Sequence, residues 1–416
     1  MQAQKVRFLG SGREVGRSAI LVDAGERYVF DYGVNVQTME IPIAPPPDTR
    51  CVFLSHAHLD HSGALPTLYA CGYECRTYMT QTTQRLSEML LNDSLKVQRL
   101  RGGDPGFSAE DIVKTLQHSQ AVPFDRPFNV GHAVATFHDA GHVPGSASVL
   151  LEACGKRMLY TGDINFMDTA LMRSAYKDFE DIDVLITECT YSYKNHPDRS
   201  KLAEELRKRV KATVDGGGIA LLPAFAVGRA QETLLSVTPS GVPVLMDGMG
   251  IDATRIVIHL AENLASAKRL SNDFEKAKKI RRQSQRSSAV EKPAAIITTS
   301  GMLQGGPVGF YIDRLHARRD CSLTLLGYQV EGLPGRTLMD TGRYVTDAID
   351  VKPEMDVRFM DFSSHASRDD LLYFIRKLSP QKILLFHGER ATEFAAELKG
   401  MGFDAAAPAN GDSVPI

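Results

Sequence analysis

The sequence predicts a layered α/β protein, built either as two domains or as one domain with a large insertion. Three observations lead there. The chain has 416 residues, more than a single hydrophobic core usually serves. Short apolar runs recur along it, and each ends in a polar or Gly-bearing turn, the place where layered folds collect ligand-binding groups. In the middle of the chain, strand, Gly-bearing turn and helix alternate, which argues for a parallel unit. A content of 43% hydrophobic and 24% charged residues fits an ordinary globular protein. The net charge of −2 gives no global basic field, so any site for a polyanion must be local. Six cysteines are scattered, and no second pair completes a Cys-rich zinc site around Cys71 and Cys75. Free thiols in a reducing compartment are expected. Residues 1–10 lack the apolar core of a signal peptide, and no run approaches the roughly 18 apolar residues of a membrane helix. The expectation is a soluble cytoplasmic protein with no membrane partner.

Taken in order, Tyr28–Asp31 reads as a strand closing on a carboxylate. Ala44–Asp48 is a loop, because three prolines cannot join a ladder. Cys51–Leu54 is a buried strand, followed by Ser55-His56-Ala57-His58-Leu59-Asp60-His61. Helical patterning begins near Leu65 and strengthens across Thr82–Gln98. Strand signals return at Ala133–Phe137, Val149–Leu151, Arg157–Tyr160 and Asp183–Thr187. Ser200–Val214 is an amphipathic helix, with Leu202, Leu206 and Val210 on one face. Three glycines break it, and Ile219–Pro223 is a strand running into a turn and helix at Phe225–Arg229. Lys382–Phe386 is the last buried strand and ends at His387.

The stretch 56–61 places four metal-binding side chains in six residues at a strand end. Imidazole and carboxylate together suit zinc. Their alternation would aim His56 and His58 at one ion and Asp60 and His61 at a second, an arrangement that hydrolyses phosphoesters. His142 and His387 each lie in a Gly-flanked turn after a strand, and Asp163 of Thr161-Gly162-Asp163 does likewise. A carboxylate bridging two ions holds them at roughly 3.5–4 Å, and Asp163 is the candidate. The leaving oxygen then needs a donor, and a histidine not bound to metal suits that near neutral pH.

These residues resemble the metallo-β-lactamase superfamily, whose hallmark is His-x-His-x-Asp-His with a distant His, a distant Asp and a C-terminal His. Six further segments are similar to its β-CASP nucleases: Ile186–Tyr191, Pro223–Glu232, Ser300–Gly306, Gly327–Gly332, Ser363–Ala366 and Phe386–Glu389. Within that family the chain looks most like the RNA-cleaving branch, which holds the endonuclease subunit of the cleavage and polyadenylation specificity factor and its short prokaryotic homologues. The resemblance runs from about Val6 to Glu389.

It implies an αββα sandwich over 1–188 and 351–416, with an inserted β-CASP α/β cap over 189–350 and the active site in the cleft between them. It implies two zinc ions per chain. His56, His58 and His142 would hold one, Asp60, His61 and His387 the other, and Asp163 would bridge them. Asp31 would support the His-rich loop, Glu188 would hydrogen-bond His365, and His365 would be the general acid. The histidine at 387 goes with RNA in this family, where a valine goes with DNA. The implied protein is a zinc-dependent ribonuclease of RNA processing or decay, with endonuclease and 5′→3′ exonuclease action both represented among relatives. RNA is the implied partner, and a homodimer or an RNA-processing complex fits the resemblance. A non-catalytic scaffold would be expected to have lost ligands, and a small-molecule hydrolase would not need the cap motifs. Ser192, Ser11 and Ser367 depart from the family pattern without removing a ligand. For substrate, Ser300 and Gly301 bring backbone N–H groups to a Gly-rich turn, and Arg229 is a candidate for either a phosphate contact or a packing ion pair. Lys268–Arg286 carries eight basic side chains against Asp273 and Glu275, which fits either a phosphate track or a solvated face.

Overall fold

The structure is a computed structural model and describes residues 4–416. It divides into two compact units. The first takes in the chain up to Met167, Arg173–Asn195 and Ser364–Ile416; the second is Asp168–Met172 with His196–Ser363.

The first unit contains two seven-stranded sheets. One has the spatial order Ser413–Pro415, Lys5–Gly10, Ala19–Ala24, Glu26–Phe30, Cys51–Phe53, Arg76–Met79 and Ser119–Ala121. The other runs Ala405–Ala406, Lys382–Phe386, Val184–Glu188, Lys156–Tyr160, Ala147–Ala153, Ala133–Asp139 and Phe128–Val130. The sheets stack through the residues of one parity. Phe8, Ile20, Phe30 and Phe53 of the first meet Phe137, Val149, Tyr160, Ile186 and Phe386 of the second in one core. Tyr160 packs between Phe30, at 5.0 Å, and Phe386, at 4.8 Å. Residues of the other parity face helices. Val29, Val52 and Leu54 pack against Leu65 and Leu68 of the helix Leu65–Ala70. Leu185, Ile383 and Leu385 pack against Arg368–Leu378 and Ala391–Gly400. Burial on both faces is why these strands read as unbroken apolar runs. Each buried large side chain contributes about 1.5–3 kcal/mol, against about 0–1 for a surface ion pair, so the core between the layers holds the sandwich.

The parallel strands of this unit gather polar side chains at one set of ends. Glu26–Phe30 runs parallel to Cys51–Phe53, and Val184–Glu188 runs parallel to both Lys156–Tyr160 and Lys382–Phe386. Their C-terminal ends carry Asp31, the 55–61 loop, Asp163, Glu188 and His387.

The second unit is built on a six-stranded, wholly parallel sheet. Its order is Lys278–Ile280, Val244–Asp247, Ala294–Thr298, Ile219–Pro223, Ser322–Leu325 and Asp356–Phe359. The sequence expectation began an inserted segment at 189 and ended it at 350. The unit extends later because Asp356–Phe359 pairs with Ser322–Leu325 as its edge strand. It also takes in Asp168–Met172, where Met172 bridges to Leu264. No helix among the described residues is long and apolar enough to cross a membrane. All six cysteines are free.

Candidate metal centre

The 55–61 loop is laid down by backbone bonds from the segment after Phe30 and from Ser18. Tyr32 N donates to the His61 carbonyl at 2.8 Å, Val34 N to that of Leu59 at 2.9 Å, and Ser18 N to that of Asp60 at 2.8 Å. Gly33 lies so close that a Cβ there would sit 1.8 Å from the Asp60 oxygen, so only glycine lets the two segments meet. Leu59–Ser62 then makes a single helical turn that carries Asp60 and His61 and brings the His61 ring to 4.1 Å from that of His56.

Seven side chains of the first unit converge. The ligand atoms of His56, His58 and His142 lie within 4.8 Å of one another, and so do those of Asp60, His61 and His387. Asp163 stands between the two sets. Its Oδ2 is 3.6 Å from the Nε2 atoms of both His56 and His142, and its Oδ1 is 3.3 Å from His61 Nε2 and 3.6 Å from His387 Nδ1. His58 Nδ1 is 3.3 Å from His142 Nε2, and Asp60 Oδ2 is 3.3 Å from His387 Nε2.

Hydrogen bonds behind the rings of His56, His61 and His142 fix which nitrogen faces inward. The Ser364 carbonyl can only accept, so His142 Nδ1 carries the proton it donates at 2.8 Å, and Nε2 presents a lone pair. Ser55 Oγ gives its proton to Asp31 at 2.7 Å and is left to accept from His56 Nδ1 at 3.0 Å. Thr190 Oγ1 lies 3.1 Å from His387 Nδ1, and Asp31 Oδ2 lies 2.6 Å from His61 Nδ1. His56 Nε2 and His58 Nε2 are buried with no hydrogen-bond partner. A buried polar atom left so costs about 1–3 kcal/mol unless something else binds it. Inward lone pairs, a central carboxylate and unpartnered atoms fit a cation, and the N/O donor set suits zinc.

Charge states agree with that use. Burial, with neighbouring histidines adding to it, holds His56 and His142 well below the usual imidazole range, so both stay neutral. Burial also lowers His58. Burial pushes Asp163 up, but His61, His387 and His365 outweigh it and keep the carboxyl ionised. For His61 burial opposes the charge, yet Asp163 and Asp31 on either side hold it protonated well above the usual range. A cation entering that half must displace this proton, so its uptake weakens as the pH falls.

Two buried carboxylates outside the ring organise it. Asp31, held at φ +58°, accepts from Ser55 N on Oδ1 and from Ser55 Oγ, His61 Nδ1 and Tyr160 OH on Oδ2, all at 2.6–2.7 Å. One carboxylate thus steers a histidine of each set. Glu188, at the other end, steers His387 of the second set and His365 outside both. It accepts from Ile164 N at 2.9 Å and from the Thr190 hydroxyl, which holds His387, and it receives His365 Nδ1 at 3.0 Å. His365 is one-fifth exposed and lies 3.9 Å from Asp163 Oδ2. Burial opposes its charge, but Glu188 and Asp163 lift it to about 9.

Ser55, Thr190, Tyr160 and the Ser364 carbonyl were not singled out in the sequence. The first two lie inside motifs that were, and could have been found as hydroxyls flanking a ligand. Nothing in the sequence marks Tyr160, whose phenol reaches Asp31 only across the sandwich. Asp31→Asn cannot keep these bonds, since either amide orientation turns an NH2 toward a donor. Metal affinity is expected to fall about 10–100-fold, measured by competition with a chromogenic chelator. Unchanged affinity would remove Asp31 from the design of the centre.

The other expected site residues lie in the second unit. Arg229 is buried, and its Nη1 donates to Glu232 Oε2 at 2.7 Å. Ser300 Oγ donates to the Gln304 carbonyl at 2.8 Å, and a Cβ at Gly301 would come within 2.9 Å of Phe225 N. In the basic stretch, Arg281 pairs with Asp252, Arg286 with Asp247 and Arg269 with Asp273. Part of its charge is therefore neutralised by acids outside it. Of the departures, Ser11 takes a left-handed conformation at φ +61°, and its carbonyl receives His387 N at 3.0 Å. Ser367 caps the helix Arg368–Leu378 in a reciprocal box with Asp370, which keeps the capping role an acid could fill.

Three family models match the chain: the beta-lactamase superfamily domain over 18–217, the Beta-Casp domain over 228–338, and the Zn-dependent metallo-hydrolase RNA specificity domain over 349–408. The chain is 33% identical to "Probable RNase MJ4" of Methanocaldococcus jannaschii, covering 99% of itself and 100% of that protein. It is 31% identical to "RNase aCSPSF2" of Saccharolobus solfataricus, covering 99% of itself and 85% of the relative. A crystal structure of a protein of unknown function from Enterococcus faecalis V583 superposes with a TM-score of 0.63 at 14% identity, covering both chains fully, which shows a shared fold.

Proposed function

The chain belongs to the β-CASP family of metallo-β-lactamase-fold metallo-hydrolases, and from that membership we propose that it is a zinc-dependent ribonuclease holding two ions. The observation that carries the reading is Asp163, with one carboxylate oxygen toward His56 and His142 and the other toward His61. His56, His58 and His142 would hold one cation, Asp60, His61 and His387 the other, with Asp163 common to both. Bound there, the pair would supply positive charge to the phosphodiester and acidify water for in-line attack.

The remaining chemistry belongs to the chain. Asp31 and Glu188 fix ring orientations, so the centre does not reorganise during reaction. His365 gives Nδ1–H to Glu188, which leaves Nε2–H to protonate the departing oxygen as its bond to phosphorus breaks. The products are one fragment ending in phosphate and one ending in a hydroxyl. RNA as substrate is supported by the named relatives and by the RNA specificity domain matched over 349–408.

One time course tests this. RNAs labelled at either end, with 5′-phosphate, 5′-triphosphate or 5′-hydroxyl, are incubated with native protein, chelator-stripped protein, and stripped protein given Zn2+. Cleavage is expected to disappear on stripping and to return with zinc. Internal fragments would identify an endonuclease, and nucleotides released from the 5′ end alone an exonuclease. An intact RNA pool with zinc-loaded protein would sink the proposal.

A further inference from the structure

Beyond His365 the first unit carries an unusual surface. Tyr191 packs 5.8 Å from the His365 ring, and Tyr193 stacks on Tyr191 at 6.1 Å with an interplanar angle of 27°. The Arg390 guanidinium lies over the Tyr193 ring at 4.8 Å. Lys194 Nζ lies 4.7 Å over the Tyr191 ring. A row of flat groups therefore leads from the candidate proton donor to a cation. Arg390 is exposed and forms no ion pair among the described residues. Tyr193 is 46% exposed, an outlay of aromatic surface that packing alone does not require.

The backbone beneath is pinned. Ser192 N donates to the Cys189 carbonyl and Lys194 N to that of Tyr191, both at 3.2 Å. Arg368 N donates to the Lys194 carbonyl at 3.1 Å, and Asn195 exchanges two hydrogen bonds with Asp369. Tyr193 is thus presented on a fixed loop, with little ordering left for a ligand to impose. A rigid exposed ring backed by the Arg390 guanidinium, with Lys194 over the neighbouring Tyr191, suits a flat group attached to a phosphate backbone.

We propose that Tyr193 and Arg390 form a stacking platform for one nucleobase of the RNA, that of the nucleoside departing with the oxygen His365 protonates. The inference rests on the ribonuclease reading, and it assigns the leaving side because the row begins at His365. The distances are those of side chains within one unit, so the platform and the proton donor keep their spacing.

The test uses a short RNA cut at one mapped bond, with the base on either side of that bond removed in turn to leave an abasic ribose. For the wild type, losing the leaving-side base is expected to raise KM roughly tenfold or more. Tyr193→Leu should raise KM by a similar factor on the intact RNA, with bound metal unchanged. It should lose nothing further on the leaving-side abasic RNA. Tyr193→Phe, which keeps the ring, is expected to recover most of the loss. A Tyr193→Leu protein with wild-type KM overturns the proposal, as does a loss that persists in full on the leaving-side abasic RNA. Absence of any cleavage by the wild type would overturn the ribonuclease reading itself, and the platform with it.

Discussion

Asp163→Asn is expected to lower the bound metal from the proposed two ions per chain to one or none and to reduce RNA cleavage by about a thousandfold or more. The size follows from charge. Polarisation by a bound metal is worth several kcal/mol, and each 1.4 kcal/mol is tenfold in rate. Among the described residues, Asp163 is the only carboxylate with one oxygen toward each histidine set, at 3.3–3.6 Å, and it is almost wholly buried. An amide keeps the shape but presents one acceptor and no charge. It also leaves the protonated His61 facing a neutral group, so that half of the centre loses its main counter-charge. Elemental analysis reads the metal, and a thermal melt shows whether the variant folds. A folded Asp163→Asn protein with full metal and full activity would contradict the bridging role.

His365→Ala should leave the metal in place and lower the cleavage rate by about 10²–10⁴-fold, the usual range for a general acid. The loss should largely vanish on a phosphodiester whose leaving group departs without a proton, such as a nitrophenyl ester. Equal losses on both substrates would mean that His365 does something other than protonate. The pH dependence carries a sign. His365 is raised to about 9, so its acid form persists through neutrality and is lost as the pH rises through that value. Glu188→Gln removes a group that raises it, so the alkaline limb of kcat should move to lower pH. Bound cations lower both limbs without changing their order.

Much of the centre was legible because its chemistry is compressed into short segments. His56 to His61 announce a metal site by spacing, and His142, Asp163 and His387 share its setting of a turn after a strand. The layered fold was legible in the same way, since Val184–Glu188 and Lys382–Phe386 are apolar throughout and strands buried on both faces have to be. What the sequence withheld is pairing across distance. That Tyr160 would reach Asp31, or that the Ser364 carbonyl would hold His142, depends on the stacking of two sheets and on chain segments more than 120 residues apart. The edge strand Asp356–Phe359 escaped for a different reason. It is largely exposed and carries alternating charge, so it lacks the apolar run that marks the inner strands.

The position of His387 has a consequence in time. His56, His58, His61, His142 and Asp163 all lie in the first 163 residues, whereas His365 and His387 come about 200 residues later. A chain emerging N-terminus first can fold its early strands while the proposed second cation site still lacks a ligand and the leaving oxygen still lacks its proposed acid. The centre becomes chemically complete only once His387 has been made. A protein proposed to cut RNA is assembled by a machine made of RNA, on an RNA template, and this order of residues keeps it unarmed until His387 has emerged.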